Sequence, residues 1–490
     1  MSLGVLTFSD PGGVLAITDA TTVSRSFDLT TFGLWARVKT LSITLTGLSH
    51  TFPDDLDFLF VGPDGTNLAF WSDAGGGTAI SNQNYTIRDS ASLVLPDSGG
   101  IAAGTYRPAD YSFAEANSNW TGVSPGLVIN HPTPNGAATL DGSFGGKWID
   151  NTTWTLFVRD DVAGFSGTLN DFGIQATLNG ICKPHDFNGT LTGSASDILW
   201  QSNDGTAGIW LMDGFTATSV GAAGPNGPWP FNPGPSWHVK GDADFDFDGR
   251  SDILWQNNDG TPAMWRMNGL AAVTLGAVGT NPGPDWHIKG TGDFNFDGPA
   301  DILWQNDNGT PAIWLMNGFN VLTNGAAGAF NPGPSWQIKG TGDFNNDGRS
   351  DILWQNSDGT PAIWLMNGLT VLTNGPAGPF NPGPSWQIKG TGDFNDDGRS
   401  DILWQNSDGT PAIWLMDGMN AIAVGAVGPF NPGPSWHIVG TGDYNIDQQS
   451  DILWQADDGT PAIWFMNGMS FLSTGAAGSF NPGSDWHVIA

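Results

Sequence analysis

The chain has 490 residues, 16 basic against 48 acidic side chains for a net charge of −32, together with 70 Gly and 24 Trp, and Glu115 is its one glutamate. That charge excludes nucleic acid as a partner, because a chain without a basic stripe repels phosphate, and no run approaches the ~20 apolar residues of a membrane-spanning helix, so no membrane insertion is expected. Acids that are almost all Asp, alongside so much Gly, favour turns over exposed helix and point to an all-β protein.

Residues 1–180 show no long repeat. Runs such as Leu41-Ser42-Ile43-Thr44-Leu45 and Trp154-Thr155-Leu156-Phe157-Val158 alternate as half-buried strands do, and turn clusters separate them, which reads as an antiparallel β-sandwich. The segments GLSHTFPDDLDFLFVGPDGT (47–66), GTYRPADYSF (104–113) and TWTLFVRDDVAGFSGTLNDFGI (153–174) resemble the P domain, or homo B domain, of subtilisin-like proprotein convertases. The resemblance covers about 30–178. It implies a jelly-roll sandwich with a calcium of its own, for which Asp55, Asp57, Asp73 and Asp161 are the candidate ligands; ordinary loop acids are the alternative. No protease-sized region with a catalytic serine segment precedes the sandwich, so the domain is expected without its enzyme.

Residues 181–186 read as a linker. Cys182 within it is the sole cysteine, which leaves no intrachain disulfide and marks it as an incidental or structural thiol.

From 187 onward the chain repeats. DILW begins at Asp197, Asp252, Asp301, Asp351, Asp401 and Asp451, and a second marker, Trp237, Trp286, Trp336, Trp386, Trp436 and Trp486, recurs with the same period of about 50 residues. Each repeat holds four short β-rich runs, with Asp-Gly hairpin chemistry as at Asp358-Gly359. Four strands per 50 residues is the signature of a β-propeller blade, and six repeats predict six blades over 187–490. Apolar residues on both faces, as in Ile302, Leu303 and Trp304, suit a sheet between two neighbours. The first repeat lacks the Trp-His-Ile strand that 486–490 supplies, so the last strand is expected to join the first blade.

The strongest chemical signal is the loop ahead of DILW. Oxygen-bearing side chains recur at every second position, a Gly allows the sharp turn, and a final carboxylate follows. The sets are Asp244, Asp246, Asp248 and Asp252; Asp293, Asn295, Asp297 and Asp301; Asp343, Asn345, Asp347 and Asp351; Asp393, Asn395, Asp397 and Asp401; and Asp443, Asn445, Asp447 and Asp451. A backbone carbonyl of Arg250, Pro299, Arg349, Arg399 or Gln449 would complete each. Hard oxygen ligands at this spacing suit calcium, about five ions in all; polar hairpin loops are the bland alternative. Gln448 replaces the Gly in the fifth loop and is expected to strain it, and the first repeat, Asp186 to Asp197, has the wrong spacing for a site. The stretch DFNNDGRSDILWQNSDGTPAIWLMNG (343–368) resembles the FG-GAP/VCBS repeats of bacterial surface proteins, whose calcium loops are similar to those of integrin α-subunit propellers. That resemblance covers about 183–490 and implies a calcium-binding propeller, although integrin propellers have seven blades and this chain counts six repeats.

No catalytic constellation stands out. His238, His287, His437 and His487 share one repeat position that Gln337 and Gln387 fill elsewhere, so a polar structural role fits better than a general base. Trp237, Trp286, Trp336, Trp386, Trp436 and Trp486 follow a Pro/Gly loop, where partly exposed indoles would suit sugar faces, with core packing as the alternative. The expectation is a non-enzymatic, calcium-binding extracellular or cell-surface protein. Its propeller would present a repeated surface to a glycan or protein ligand. A structural or accessory module of a surface assembly, or of a separate secreted protease, is the competing class. Neither oligomeric state nor export route is legible.

Overall fold

Alternation of apolar residues sets most of the architecture, in a computed structural model that describes residues 5–9, 12–28, 36–62, 65–112, 120–122, 127–145, 153–180, 185–189, 195–225 and 231–489. Cys182 and most of the expected 181–186 linker lie outside these residues. The chain divides into two units, Met1–Gly180 and Ile181–Ala490.

In the first unit the long strand Ala36–His50 pairs with Asp171–Gly180 on one side and Ile80–Ile87 on the other, within an eight-stranded sheet. A second, five-stranded sheet centres on Leu56–Val61 and Thr153–Asp160. Ile43, Leu45 and Ile174 of the first sheet share one core with Phe58, Phe60, Trp71 and Trp154 of the second. Phe60 stacks on Trp154 at 5.5 Å. The one described α-helix, Leu140–Phe144, is a single capped turn.

The second unit is a repeat β-propeller-like fold. Among the described residues, six antiparallel sheets each hold four strands of the repeat in the same order, for example Trp336–Gly342, Asp351–Asn356, Pro361–Asn367 and Thr370–Pro376. The sheet that begins with Ile198–Ser202 takes its fourth strand from Trp486–Ile489, with Trp200 opposite Val488. A short extra strand, Gly224–Pro225, runs parallel to Ala271–Ala277.

Alternate residues of the DILW strand go to different cores. Ile302 and Trp304 pack with Leu254 and Met264 of the preceding sheet, while Leu303 packs with Ile352, Trp354 and Trp364 of the following one. The pattern returns on itself, because Leu453 and Ile463 of the last sheet meet Ile198, Trp200 and Trp210 of the first. Within a sheet, the two buried tryptophans meet across strands, as Trp304 and Trp314 do with ring centroids 4.8 Å apart.

A side chain that the sequence did not single out locks these sheets together. Gln355, the residue after DILW, donates Nε2 to Trp386 O at 2.7 Å and accepts Ile388 N at 3.1 Å, so one amide satisfies two backbone groups of the next inner strand. Gln201, Gln256, Gln305, Gln405 and Gln455 repeat the clamp, and Gln455 closes it on Trp486 and Val488. Leaving a buried N–H and C=O unpaired costs about 1–3 kcal/mol each. Gln355→Leu is therefore expected to lower unfolding stability by about 2–4 kcal/mol, read as a shifted urea midpoint, and an unchanged midpoint would show that the clamp contributes nothing.

Candidate functional site

Each Asp-rich loop joins the inner strand of a sheet to its DILW strand, and its own backbone folds it into a hook. In 343–351, Asp343 accepts the N–H groups of Asp347 and Gly348 at 3.1 and 2.8 Å. Asp351, fully buried, accepts Phe344 N at 3.0 Å and Met366 N at 2.8 Å. The same bonds recur at Asp244, Asp293, Asp393 and Asp443, and at Asp252, Asp301, Asp401 and Asp451. To wrap this tightly the fourth loop residue enters the left-handed region, even where it is Phe247, Phe296 or Ile446. Gln448 does so as well, at φ 71°, where the other loops use Gly. Non-glycine residues resist this conformation by about 1–2 kcal/mol.

The loops are also tied to one another. Ser350 N donates to Asp293 O at 2.7 Å, Ser400 N to Asp343 O at 2.8 Å, and the series runs through Ser251, Ala300 and Ser450 to Ser196 N, which reaches Asp443 O at 2.8 Å. All the Asp loops therefore line one end of the sheet circuit.

The candidate ligand oxygens converge unevenly. Among the described residues, the trio of acids whose oxygens all lie within 4.8 Å of one another is Asp244, Asp246 and Asp252. In the four Asp-Asn-Asp loops the Asn amide donates to the Asp two residues on, as Asn345 Nδ2 does to Asp347 Oδ2 at 3.1 Å. This fixes the amide so that Asn345 Oδ1 and Asn395 Oδ1 are buried without a donor. Burial pushes the last carboxyl of each loop, Asp252, Asp301, Asp351, Asp401 and Asp451, up to about 8. Neighbouring loop acids add to the shift, and the two backbone donors oppose it.

The first loop differs. Arg266 of its own sheet inserts a guanidinium that touches Asp246 and lies 3.7 Å from Asp248. The other repeats carry Leu315, Leu365, Leu415 or Phe465 at that position and Asn where Asp246 stands. An extra carboxylate is thus matched by an extra cation. Asp248 also pairs with Arg250 at 3.5 Å. In the first repeat Asp186 and Asp197 keep the same backbone bonds, to Gly189 N and to Phe187 N and Met212 N.

The expected ligands of the first unit are neighbours, but three of their side-chain oxygens do not converge as those of Asp244, Asp246 and Asp252 do. Asp161 N bonds Asp55 O at 3.1 Å, and Asp73 and Asp161 both act on Asp57. Asp57 is fully buried, and burial pushes its carboxyl well up; Ser72 and Arg159, whose Nη1 lies 3.7 Å away, offset this. Burial, then Asp161 and Asp160, push Asp55 up to about 6.

At the opposite end of the sheet circuit from the Asp loops, Trp237, Trp286, Trp336, Trp386, Trp436 and Trp486 start the inner strands. They are half-buried and packed against the cores. The neighbouring Phe330, Phe380 and Phe430 are more than half exposed. These phenylalanines, with Phe231 and Phe480, are the aromatic surface of that end, and sequence reasoning passed over them because nothing in a Phe-Asn-Pro-Gly string separates an outward ring from a packed one. His287 and His437 bond Asp307 and Asp457 on the adjoining hairpins at 2.8 and 2.7 Å, while Gln337 donates to Pro334 O. The hairpin and the Pro/Gly loop touch closely enough that a Cβ on Gly359, at φ 98°, would lie 2.3 Å from Gly383.

The FG-GAP-like repeat family model matches residues 293–354, which run from the start of one Asp loop through the next loop to the end of its DILW. No curated protein matches the chain. Among solved structures, the C-terminal WD40 domain of Sif2 is 14% identical with a TM-score of 0.34, over 61% of this chain and 89% of that one.

Two outcomes follow from the loops alone. Arg266→Leu should destabilise metal-free protein by about 1–3 kcal/mol by leaving Asp246 and Asp248 unmatched, and adding Asp246→Asn should recover most of it; additive effects in that cycle would dissociate the two residues. The five last-position carboxyls hold protons in the folded chain up to about pH 8, whereas the unfolded chain releases them near 3.8. Their contribution to stability therefore falls as pH rises across that window, so with chelator the melting temperature is expected to be lower at pH 8 than at pH 6.

Proposed function

We propose that the chain is a non-enzymatic, calcium-stabilised extracellular binding or adhesion protein. It comprises a P-domain-like jelly-roll sandwich and a six-bladed propeller closed by the strand 486–489. The observation that carries the calcium reading is the pair of buried amide oxygens, Asn345 Oδ1 and Asn395 Oδ1, that face no donor inside loops whose ligand sets each hold three carboxylates. A buried oxygen without a partner is costly, and several carboxylates packed together repel. One divalent cation relieves both, and its preference for oxygen ligands in a flexible hook is that of calcium. Asp343, Asn345, Asp347, Asp351 and their counterparts would hold it, and the ion would supply charge neutralisation and loop order. A further ion at Asp55, Asp57, Asp73 and Asp161 belongs to the same reading, with Arg159 reducing the local charge. The FG-GAP-like match over 293–354 supports treating these loops as one class.

The ligand surface we assign to the opposite end, where exposed Phe330, Phe380 and Phe430 recur at 50-residue intervals. Repetition would convert weak single contacts into avidity, and sugar faces or apolar protein side chains are the chemistry such rings accept.

Calorimetry of the full chain in calcium and in chelator is the test of the metal. A site saturated at a hundredfold excess over its Kd adds about 2.7 kcal/mol, so several sites predict a large fall in melting temperature on chelation, and equal melting temperatures would end the calcium reading. A glycan array, run with wild type and with the triple variant Phe330→Ala, Phe380→Ala and Phe430→Ala, is the test of the ligand surface. Signal lost in the variant supports glycan binding there, whereas a silent wild type removes it.

A further inference from the structure

Every basic residue of the described repeats falls in one of two places. Arg250, Arg349 and Arg399 lie within the Asp loops and Arg266 reaches into one of them, while Lys240, Lys289, Lys339 and Lys389 occupy a single repeat position on the inner strand. In the remaining two sheets that position is Val439 and Ile489.

The inner strands form the wall of the ring. Thr441 Oγ1 donates to Thr391 O, Thr391 to Thr341 O and Thr341 to Thr291 O, each at 2.6 Å, and Thr291 reaches Asp242 O at 3.2 Å. Gly follows each Lys, with Thr next in three strands and Asp242 in the fourth, and a Cβ on Gly290, Gly340 or Gly390 would come within 3.0 to 3.3 Å of the next strand's Thr Cγ2. Four lysines thus stand side by side on four consecutive, tightly apposed strands.

Nothing in the described chain neutralises them as a group. Lys339 feels Lys289 and Lys389, and Lys240 feels Lys289. Burial first, and this mutual repulsion second, push Lys339 and Lys240 down. Asp307 attracts Lys289 but is already bonded to His287. Lys339 Nζ finds only the neutral Gln387 Oε1, at 3.5 Å. In a unit with 31 acids to 9 bases, an unopposed arc of ammonium groups on the inner wall is not general solvation of charge. Walls of one sign concentrate field in the opening between them.

We propose that the arc of Lys240, Lys289, Lys339 and Lys389 binds a sulfate or phosphate oxyanion, of one or two negative charges, at the axis of the ring. The group is carried either as the free ion or on a sugar. This rests on the ring of inner strands and is independent of calcium.

The test is isothermal titration of the full chain, in calcium and again in chelator, with three probes at constant ionic strength: sodium sulfate, a sulfated disaccharide, and the same disaccharide without sulfate. Both charged probes are expected to bind and the uncharged one not. A preference for the sulfated sugar over free sulfate would assign the ligand to glycans, and the reverse to free anions. Lys289→Gln/Lys339→Gln should weaken binding about tenfold for each lysine removed. Val439→Lys, which extends the arc by one strand, should tighten it by a comparable factor and keeps the test decisive if the double variant does not fold. Absence of binding by wild type in both buffers, or affinities unchanged in both variants, overturns the proposal. Loss of calcium binding in the same experiments would bear only on the loops.

Discussion

Burial of the DILW strand on both faces is the constraint on which the repeat unit depends. A sheet with Ile302 and Trp304 on one face and Leu303 on the other cannot be stable in water alone, since each face needs a neighbour to remove it from solvent. The neighbour has the same need. A row of such sheets is satisfied only when the last meets the first, and Leu453 against Trp200 is where that occurs. Gln355 and its equivalents add direction to this apolar attraction, because an amide that must reach both Trp386 O and Ile388 N admits one offset between sheets.

Charge is then distributed by tiers along that frame. Carboxylates gather at one end, on loops bent by unfavourable backbone conformations at Phe296 and Gln448. Ammonium groups stand on the inner wall, and exposed phenylalanines occupy the far end. Aspartate suits the first tier because its short side chain lets Asp343 and Asp351 bond their own loop's backbone, which holds the acids closer than their mutual repulsion favours. Arg266 balances one local excess, since its guanidinium touches Asp246, a carboxylate that the other loops replace by Asn.

Periodicity made much of this legible. The recurrence of DILW every 50 residues places the strands, two-sided apolar alternation places the interfaces, and the Trp-His-Val end supplies a strand the first repeat lacks. The Asp loops were legible as loops. What escaped were relations between repeats. A glutamine after a strand looks like an ordinary polar residue until its partners on the next sheet are known, and the Ser196 to Asp443 bond joins backbones 247 positions apart. The lysine arc escaped because a single Lys in Trp-Gln-Ile-Lys is unremarkable, and only the ring brings four together. Half-burial of Trp336 and exposure of Phe330 were likewise inaccessible, since both sit in the same turn chemistry and differ only in which way the loop directs them.

The pairing of Ile198–Ser202 with Trp486–Ile489 bears on how the protein is made. At synthesis rates of about 5–20 residues per second, roughly 15–60 s separate the emergence of these two strands. During that interval the first sheet presents an unpaired edge and half of an apolar interface, Ile198, Trp200 and Trp210, to whatever is nearby. Closing so long a loop is slow, and exposed strand edges recruit other chains. The nascent chain is thus most vulnerable at its first sheet and remains so until its last strand arrives, which makes that edge the place where a holding chaperone would act.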